Sequence, residues 1–244
     1  MIFPTDAFSW GPLTHTFLGN ELLSIAYLLP PAVYSVIRKF KDDFIYGNIV
    51  ADIVIGKKYL PEEKSSHTWD FGFNLLKMSA SEQQRAFVYG FLCHLAADTV
   101  AHDILTKEKR NFQHTMCELK ADSFINKRFW VKAISIKRKV QKRNDAFLEH
   151  SINRLFFSFK TNKRIFKSLV YMSIFTSVSL SNIAGSSSRF FLYSPDKQLI
   201  KKLTDESLLR MLDILTKGED SPVVKDKPTG VIVHGKLYKS LFMK

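Results

Sequence analysis

Glycine and proline are scarce in this chain, with 10 and 8 in 244 residues. That scarcity excludes a turn-dense all-β architecture and favours helices. Cysteine is scarcer still. Cys93 and Cys117 cannot build a disulfide framework, so nothing in the sequence demands an oxidising compartment. Each adjoins a metal-ligating residue type, which leaves soft ligation and a buried structural thiol both open. Long apolar runs are missing too. Leu22–Ile37 is broken by Pro30-Pro31, and Leu169–Ile183 is short and interrupted by polar residues. Neither reaches the roughly 18–20 residues of a spanning helix. The first nine residues have neither the positive start nor the apolar stretch of an ordinary secretory signal. The expectation is a cytoplasmic chain or one peripheral to a membrane, with no transmembrane segment.

Acidic residues are in deficit, 23 against 36 Lys and Arg, for a net charge of +13. The imbalance concentrates in residues 107–167, which hold 17 Lys and Arg and 5 Asp and Glu. The run Lys137, Arg138, Lys139, Lys142 and Arg143 is either a solvated helix face or a stripe that attracts phosphates of lipid or nucleic acid.

What the chain has in plenty is apolar and aromatic side chains, 45% hydrophobic overall with 21 Phe. The patterning predicts an all-α, single-domain helical bundle over residues 1–217 and a polar, mostly irregular tail over 218–244. Thr14 is a candidate N-cap for a first helix to about Leu29, and Pro30-Pro31 starts a second to Phe40. Trp69–Met78 reads as helix. Ser81 and Gln84 form a capping box for the next, roughly Glu82–Leu105, which is apolar around its whole circumference and therefore buried. Helices are also expected over Phe112–Ala133, Asn144–Phe159 (after the basic run), Asn162–Ser181 and Lys197–Thr216. Ser186–Ser188 and Pro195 form a linker, and Val231–Val233 suits a short strand.

The Glu82–Leu105 segment carries His94, Asp98 and His102 at steps of four. Successive positions differ by about 40° around a helix, so the three share one face. The following helix repeats the device with His114, Glu118 and Asp122. Ligand-type side chains in an otherwise apolar face are costly unless partnered, and zinc takes these nitrogen and oxygen donors. His67, entering from a loop, could complete a site at His94 and Asp98, while His102, His114 and Glu118 could make a second. Asp52, at the end of an apolar string, reads as an additional ligand, a general base, a helix cap or a buried acceptor. His15 is a weaker candidate by spacing alone, and His150 and His234 fall outside any spacing. Trp69, Phe71 and Tyr89 could line a pocket or pack the core.

With these residues in order the sequence resembles the zinc-dependent phospholipase C family, related to the S1/P1 nucleases. The resemblance rests on Trp10 and His15, Gly47 with Ala51-Asp52, Ser66-His67, His94-x3-Asp98, His102, and His114-x3-Glu118 with Asp122 one turn later. It implies a helical enzyme hydrolysing phosphodiesters with zinc in a cleft. One ion would be held by His67, His94 and Asp98, and a second by His102, His114 and Glu118. A third would use His15, Asp98 and a Trp backbone corresponding to Trp10. Asp122 would stand behind the ligands. Asp52 matches the general base of the phospholipases and a zinc ligand of the nucleases. The family's Trp begins the mature protein whereas Trp10 follows nine residues, so two ions are expected and a third is left open. The spacer from Asp98 to His102 is also shorter than in the secreted phospholipases.

The reading is therefore a zinc-dependent phosphodiester hydrolase acting on phospholipid or another phosphodiester, with an anionic membrane surface as a candidate partner. A nuclease on single-stranded nucleic acid and a non-catalytic, metal-stabilised membrane-binding protein are the alternatives.

Overall fold

The computed structural model describes residues 10–51, 66–105, 121–126, 128–152, 161, 163–164 and 196–228. Among them the fold is all-α. Eight α-helices are described: α1 (Pro12–Ser24), α2 (Pro31–Lys39), α3 (Lys41–Val50), α4 (Trp69–Met78), α5 (Glu82–Leu105), α6 (Arg128–Ile134), α7 (Arg138–Ser151) and α8 (Lys197–Lys217). None is long and apolar enough to cross a membrane.

Helix α5 is the axis of the molecule. From Ala86 to Ala101 every residue except Tyr89 is buried, because α3, α8, α4, α2 and α1 all pack around it. Its start is held by the reciprocal capping box. The Gln84 amide N–H donates to Ser81 Oγ and the Ser81 N–H donates to Gln84 Oε1, both at 3.2 Å. Phe44, Phe87, Phe91, Leu18, Leu22, Ile37 and Leu95 are fully buried in the shared core. The three aromatics that could have lined a pocket belong to it as well. Trp69 stacks with Phe73 and donates through Nε1 to the Asp226 carbonyl, while Phe71 packs on Phe91 and Tyr89 lies against the cluster.

The α3–α5 crossing depends on two glycines. A Cβ on Gly47 would stand 1.9 Å from the Phe87 carbonyl oxygen, and one on Gly90 would stand 1.9 Å from the Phe44 carbonyl oxygen. The two backbones touch there, and no larger residue fits without separating them.

Polar contacts fasten the outer helices. On α3, buried Asp43 accepts from Arg143 Nη2 and from Asn144 Nδ2 (2.7 Å) of α7. One turn on, the Tyr46 hydroxyl donates to Asp145, which also pairs with Lys163. Burial, followed by the charge of Asp145, pushes the Tyr46 hydroxyl far above its usual range, so it stays a donor. On α8, Arg210 donates through Nη1 to Thr99 Oγ1 of α5 at 2.7 Å and to Asp226 at 2.9 Å.

Several sequence expectations shift. Thr14 is not the N-cap of α1: the helix begins at Pro12, Gly11 occupies the cap without a side-chain bond, and Thr14 already lies inside. The expected Phe112–Ala133 helix does not run through. Ala121–Phe124 is helical, the chain breaks at Ile125-Asn126, and Asn126 Oδ1 accepts from the Arg128 N–H (2.9 Å) to restart it. An Asn side chain offers the backbone this alternative to continuing a helix. The basic run is not a preamble to a helix starting at Asn144 but the first turns of α7, which ends at Ser151. The stretch after Gly218 does not leave the body at once. Two 3-10 turns, Gly218–Asp220 and Pro222–Lys225, pack back with Val223 in the core. Residues 112–120 and 153–159, most of Asn162–Ser181, the Ser186–Ser188 linker with Pro195, and Val231–Val233 lie outside the described residues.

Replacing Gly by Ala inside a helix ordinarily stabilises it. Gly90→Ala is expected to do the reverse, because the methyl meets backbone that cannot swing aside. Overpacking of this kind costs about 3 kcal/mol, or a fall in melting temperature of about 6–12 °C for a chain of this size. A thermal melt followed by circular dichroism checks it, and an unchanged or raised midpoint would contradict the close crossing.

Candidate metal centre

Two helices and one loop converge on a single carboxylate. Asp98, on α5, is wholly buried, and its burial is shared by His94 one turn earlier, His15 of α1 and His67 just before α4. His67 Nε2 lies 2.6 Å and His94 Nε2 lies 3.1 Å from Asp98 Oδ2, while His15 Nε2 lies 3.1 Å from Oδ1. The His15 and His94 rings stack with centroids 3.8 Å apart at 20°, and His67 meets His94 edge-on at 5.0 Å. Burial alone would raise the Asp98 pKa. The opposing charges of His94 and then His15, with hydrogen bonds from His15 and His67, overcome it and hold the carboxyl well below the usual range.

The α3–α5 crossing orients His94. Its Nδ1 is 2.9 Å from the Asn48 carbonyl oxygen, and Asn48 follows the glycine that lets the helices touch. A carbonyl oxygen only accepts, so Nδ1 carries the hydrogen and the lone pair of the neutral ring is left on Nε2. That lone pair faces Asp98 Oδ2. Two acceptors at 3.1 Å need a proton or a cation between them.

Protons alone serve this arrangement poorly. If His15 and His94 were both imidazolium, two unit charges about 4 Å apart would repel by about 4 kcal/mol at an effective dielectric of 20. A divalent metal removes the conflict, since it binds neutral imidazoles and a carboxylate. A carbonyl holding the far ring nitrogen is also the usual support of a metal-bound histidine. The ligand atoms of His15, His94 and Asp98 lie within 4.8 Å of one another. The donor set fits zinc.

Helix α1 is held in place from a distance. Asp122, also buried, accepts from the Thr14 N–H (2.9 Å), Thr14 Oγ1 (2.6 Å) and the Leu13 N–H (3.4 Å). Its carboxylate therefore caps the N-terminus of the helix that carries His15, where the macrodipole favours negative charge. Gly11 makes room for it: a Cβ there would come 2.3 Å from Asp122 Oδ2. Trp10 is buried, and its Nε1 donates to Ser207 Oγ of α8 at 3.1 Å. Cys93, next to His94, is fully buried in the apolar core with its thiol pushed up by burial. It is a core residue there and no part of the His15–His94–Asp98 group. His150 is exposed.

Four predicted ligands are thus brought together: His15, His67, His94 and Asp98. His102 rides on the same helix as His94 and Asp98, but its side chain is outside the described set, and Asp52, His114, Cys117, Glu118 and His234 lie outside the described residues. What sequence reasoning missed is the Asn48 carbonyl and Gly11 and, for Asp122, which it set behind the ligands, the capping of α1 through which that residue acts. The Gly11-Pro12 start of α1 was the one local signal that its cap comes from elsewhere.

The family model described as zinc dependent phospholipase C matches residues 14–166, well over half of the chain. The chain belongs to this family. The matched range contains His15, His67, His94 and Asp98 and begins after Trp10. No curated protein and no solved structure matches the chain. Membership of the zinc-dependent phospholipase C family, together with a buried His–Asp cluster able to hold a metal, supports a zinc-dependent, phospholipase-like hydrolase.

Asp122→Ala is expected to lower folding stability by about 2 kcal/mol, the cost of removing a helix cap whose carboxylate takes several bonds. It should also weaken zinc retention, since His15 rides on the uncapped helix. Urea denaturation with and without added zinc measures both effects. A variant with native stability and native metal affinity would show that the cap does not position α1.

Proposed function

We propose that the protein hydrolyses phosphodiesters, with phospholipid as the substrate class, at a zinc centre built on Asp98. The observation that carries this reading is the convergence of three imidazoles on one buried carboxylate within the residues that match the phospholipase family. His67, His94 and Asp98 would hold one ion. His15 reaches the other oxygen of Asp98, its ligand atom within 4.8 Å of those of His94 and Asp98, and the family resemblance assigns it, with the Trp10 backbone, to a further ion that is left open. His102, His114 and Glu118 are assigned to another ion by spacing and by family resemblance.

Bound zinc would supply Lewis acidity toward the phosphoryl oxygens and a water of lowered pKa. The chain's own part is positioning. The Asn48 carbonyl fixes the His94 tautomer, Asp122 fixes the helix bearing His15, and the apolar shell around α5 keeps bulk water from the ligands and so strengthens their electrostatics. Asp52 lies four residues beyond Asn48 in the sequence, and we assign it to orienting or deprotonating the attacking water.

The test pairs metal content with turnover. Zinc-loaded protein is expected to release the phosphorylated headgroup from a short-chain phosphatidylcholine. Asp98→Asn, which keeps the shape and removes the charge, should lose at least one zinc by elemental analysis and reduce kcat by about 100-fold or more, the scale on which an electrostatic stabiliser acts. Cleavage of single-stranded DNA with no action on the lipid would replace this reading with that of a nuclease. Full zinc content in Asp98→Asn would remove its basis.

A further inference from the structure

The stretch from Ser123 to Asn144 contains eight Lys and Arg and no acidic residue. It builds α6 and the first half of α7. One of its cations, Arg143, is engaged by Asp43. Six others, Arg128, Lys132, Lys137, Arg138, Lys139 and Lys142, are exposed. Lys137, Arg138 and Lys139 sit at the N-terminus of α7, with no acidic residue in its first turn and no side-chain cap. Cations there oppose the helix macrodipole, so these charges do not serve the stability of α7. A local cost without a folding return points to a use at the surface.

The same face carries an exposed apolar side chain. Val131 is 63% exposed and lies one helical turn from exposed Arg128, a spacing that shares a helix face. The opposite side is anchored. Phe129 packs with Leu13 and edge-on against Phe17 of α1, and Lys132 Nζ donates to Asn20 Oδ1 at 2.9 Å. Leu13 and Phe17 flank His15 in the sequence, so α6 is fixed to the turns of α1 that carry this ligand.

We infer that the exposed face of α6 and the start of α7 is a docking surface for anionic phospholipid bilayers. Charge complementarity selects the partner: clustered Lys and Arg are attracted to the negative surface potential of such bilayers. An apolar side chain flanked by cations suits the headgroup boundary, where apolar atoms are buried beside phosphates. Single-stranded nucleic acid, the other polyanion, is bound through exposed aromatic platforms, and among the described side chains of this element the aromatic one, Phe129, is buried. Docking through α6 would bring the bilayer to the helix bearing His15. The choice of lipid rests in part on the proposed substrate class, whereas the surface itself does not.

Co-sedimentation with phosphatidylcholine vesicles, with and without phosphatidylserine, tests the inference on the full zinc-loaded chain. Wild type is expected to prefer the phosphatidylserine vesicles by about tenfold or more and to be released by salt. Each surface cation contributes about fivefold to binding at such a surface, so replacing Lys137, Arg138, Lys139 and Lys142 together by Ser should weaken binding by roughly two to three orders of magnitude. Val131→Asp gives an independent single change and should weaken binding about tenfold while leaving the melting curve unaltered. Wild-type binding that ignores salt or phosphatidylserine would overturn the inference, as would a folded quadruple variant that still binds. So would wild type that binds single-stranded DNA and not vesicles. Binding is read without turnover. A chain that docks but hydrolyses nothing keeps this surface and loses the hydrolase, while one that cleaves soluble substrate and ignores vesicles does the opposite.

Discussion

A carboxylate removed entirely from water is the constraint on which the rest of this structure depends. An unpartnered buried charge costs several kcal/mol and usually neutralises instead. Asp98 stays ionised because three imidazoles reach it, and each arrives from a different part of the chain. That demand dictates close approach. Helix α3 must touch α5 so that a main-chain carbonyl can hold His94, and glycines at both contact points allow it. Helix α1 must be seated so that His15 meets the second oxygen, and a buried carboxylate more than a hundred residues away seats it. The stacked rings then limit how many protons the cluster can hold, and a metal satisfies donors that protons leave in conflict.

What the sequence made legible was local. His94 and Asp98 are one turn apart, so helical geometry alone placed them together. Ser81 and Gln84 announced the start of α5, and Trp69–Met78 emerged with the bounds its pattern suggested, since Thr68 can cap it and accepts from Phe71. What stayed hidden was contact between distant segments. Thr14 has the chemistry of a cap but serves as a donor to Asp122, because the N-cap position falls on Gly11, which has no side chain to cap α1. Asp122 itself looked like the third step of a ligand ladder, and no local pattern reveals that its oxygens are occupied by the backbone of α1. His15 was weak by spacing and gained its place only through the family resemblance and the fold.

The basic stripe illustrates how one run of like residues divides its labour. Arg143 and Asn144 turn inward to Asp43, and Asp145 joins Tyr46 and Lys163, so the middle of α7 is a docking strip for α3. The preceding cations face outward. Reading the run as wholly solvated or wholly for binding would miss that a helix of period 3.6 presents both faces within about four consecutive residues.

Helix α8 lies beyond the stretch that matches the family, yet it is not an appendage. Ile200, Leu203, Met211, Ile214 and Leu215 belong to the common core, Ser207 receives the indole of Trp10, and Arg210 reaches the residue next to Asp98. A fragment cut to the matched range would lack Trp10, leave one flank of α5 open to water and strip Thr99 of its Arg210 partner. The span that marks kinship is therefore shorter than the span that shares the core around Asp98 and its imidazoles.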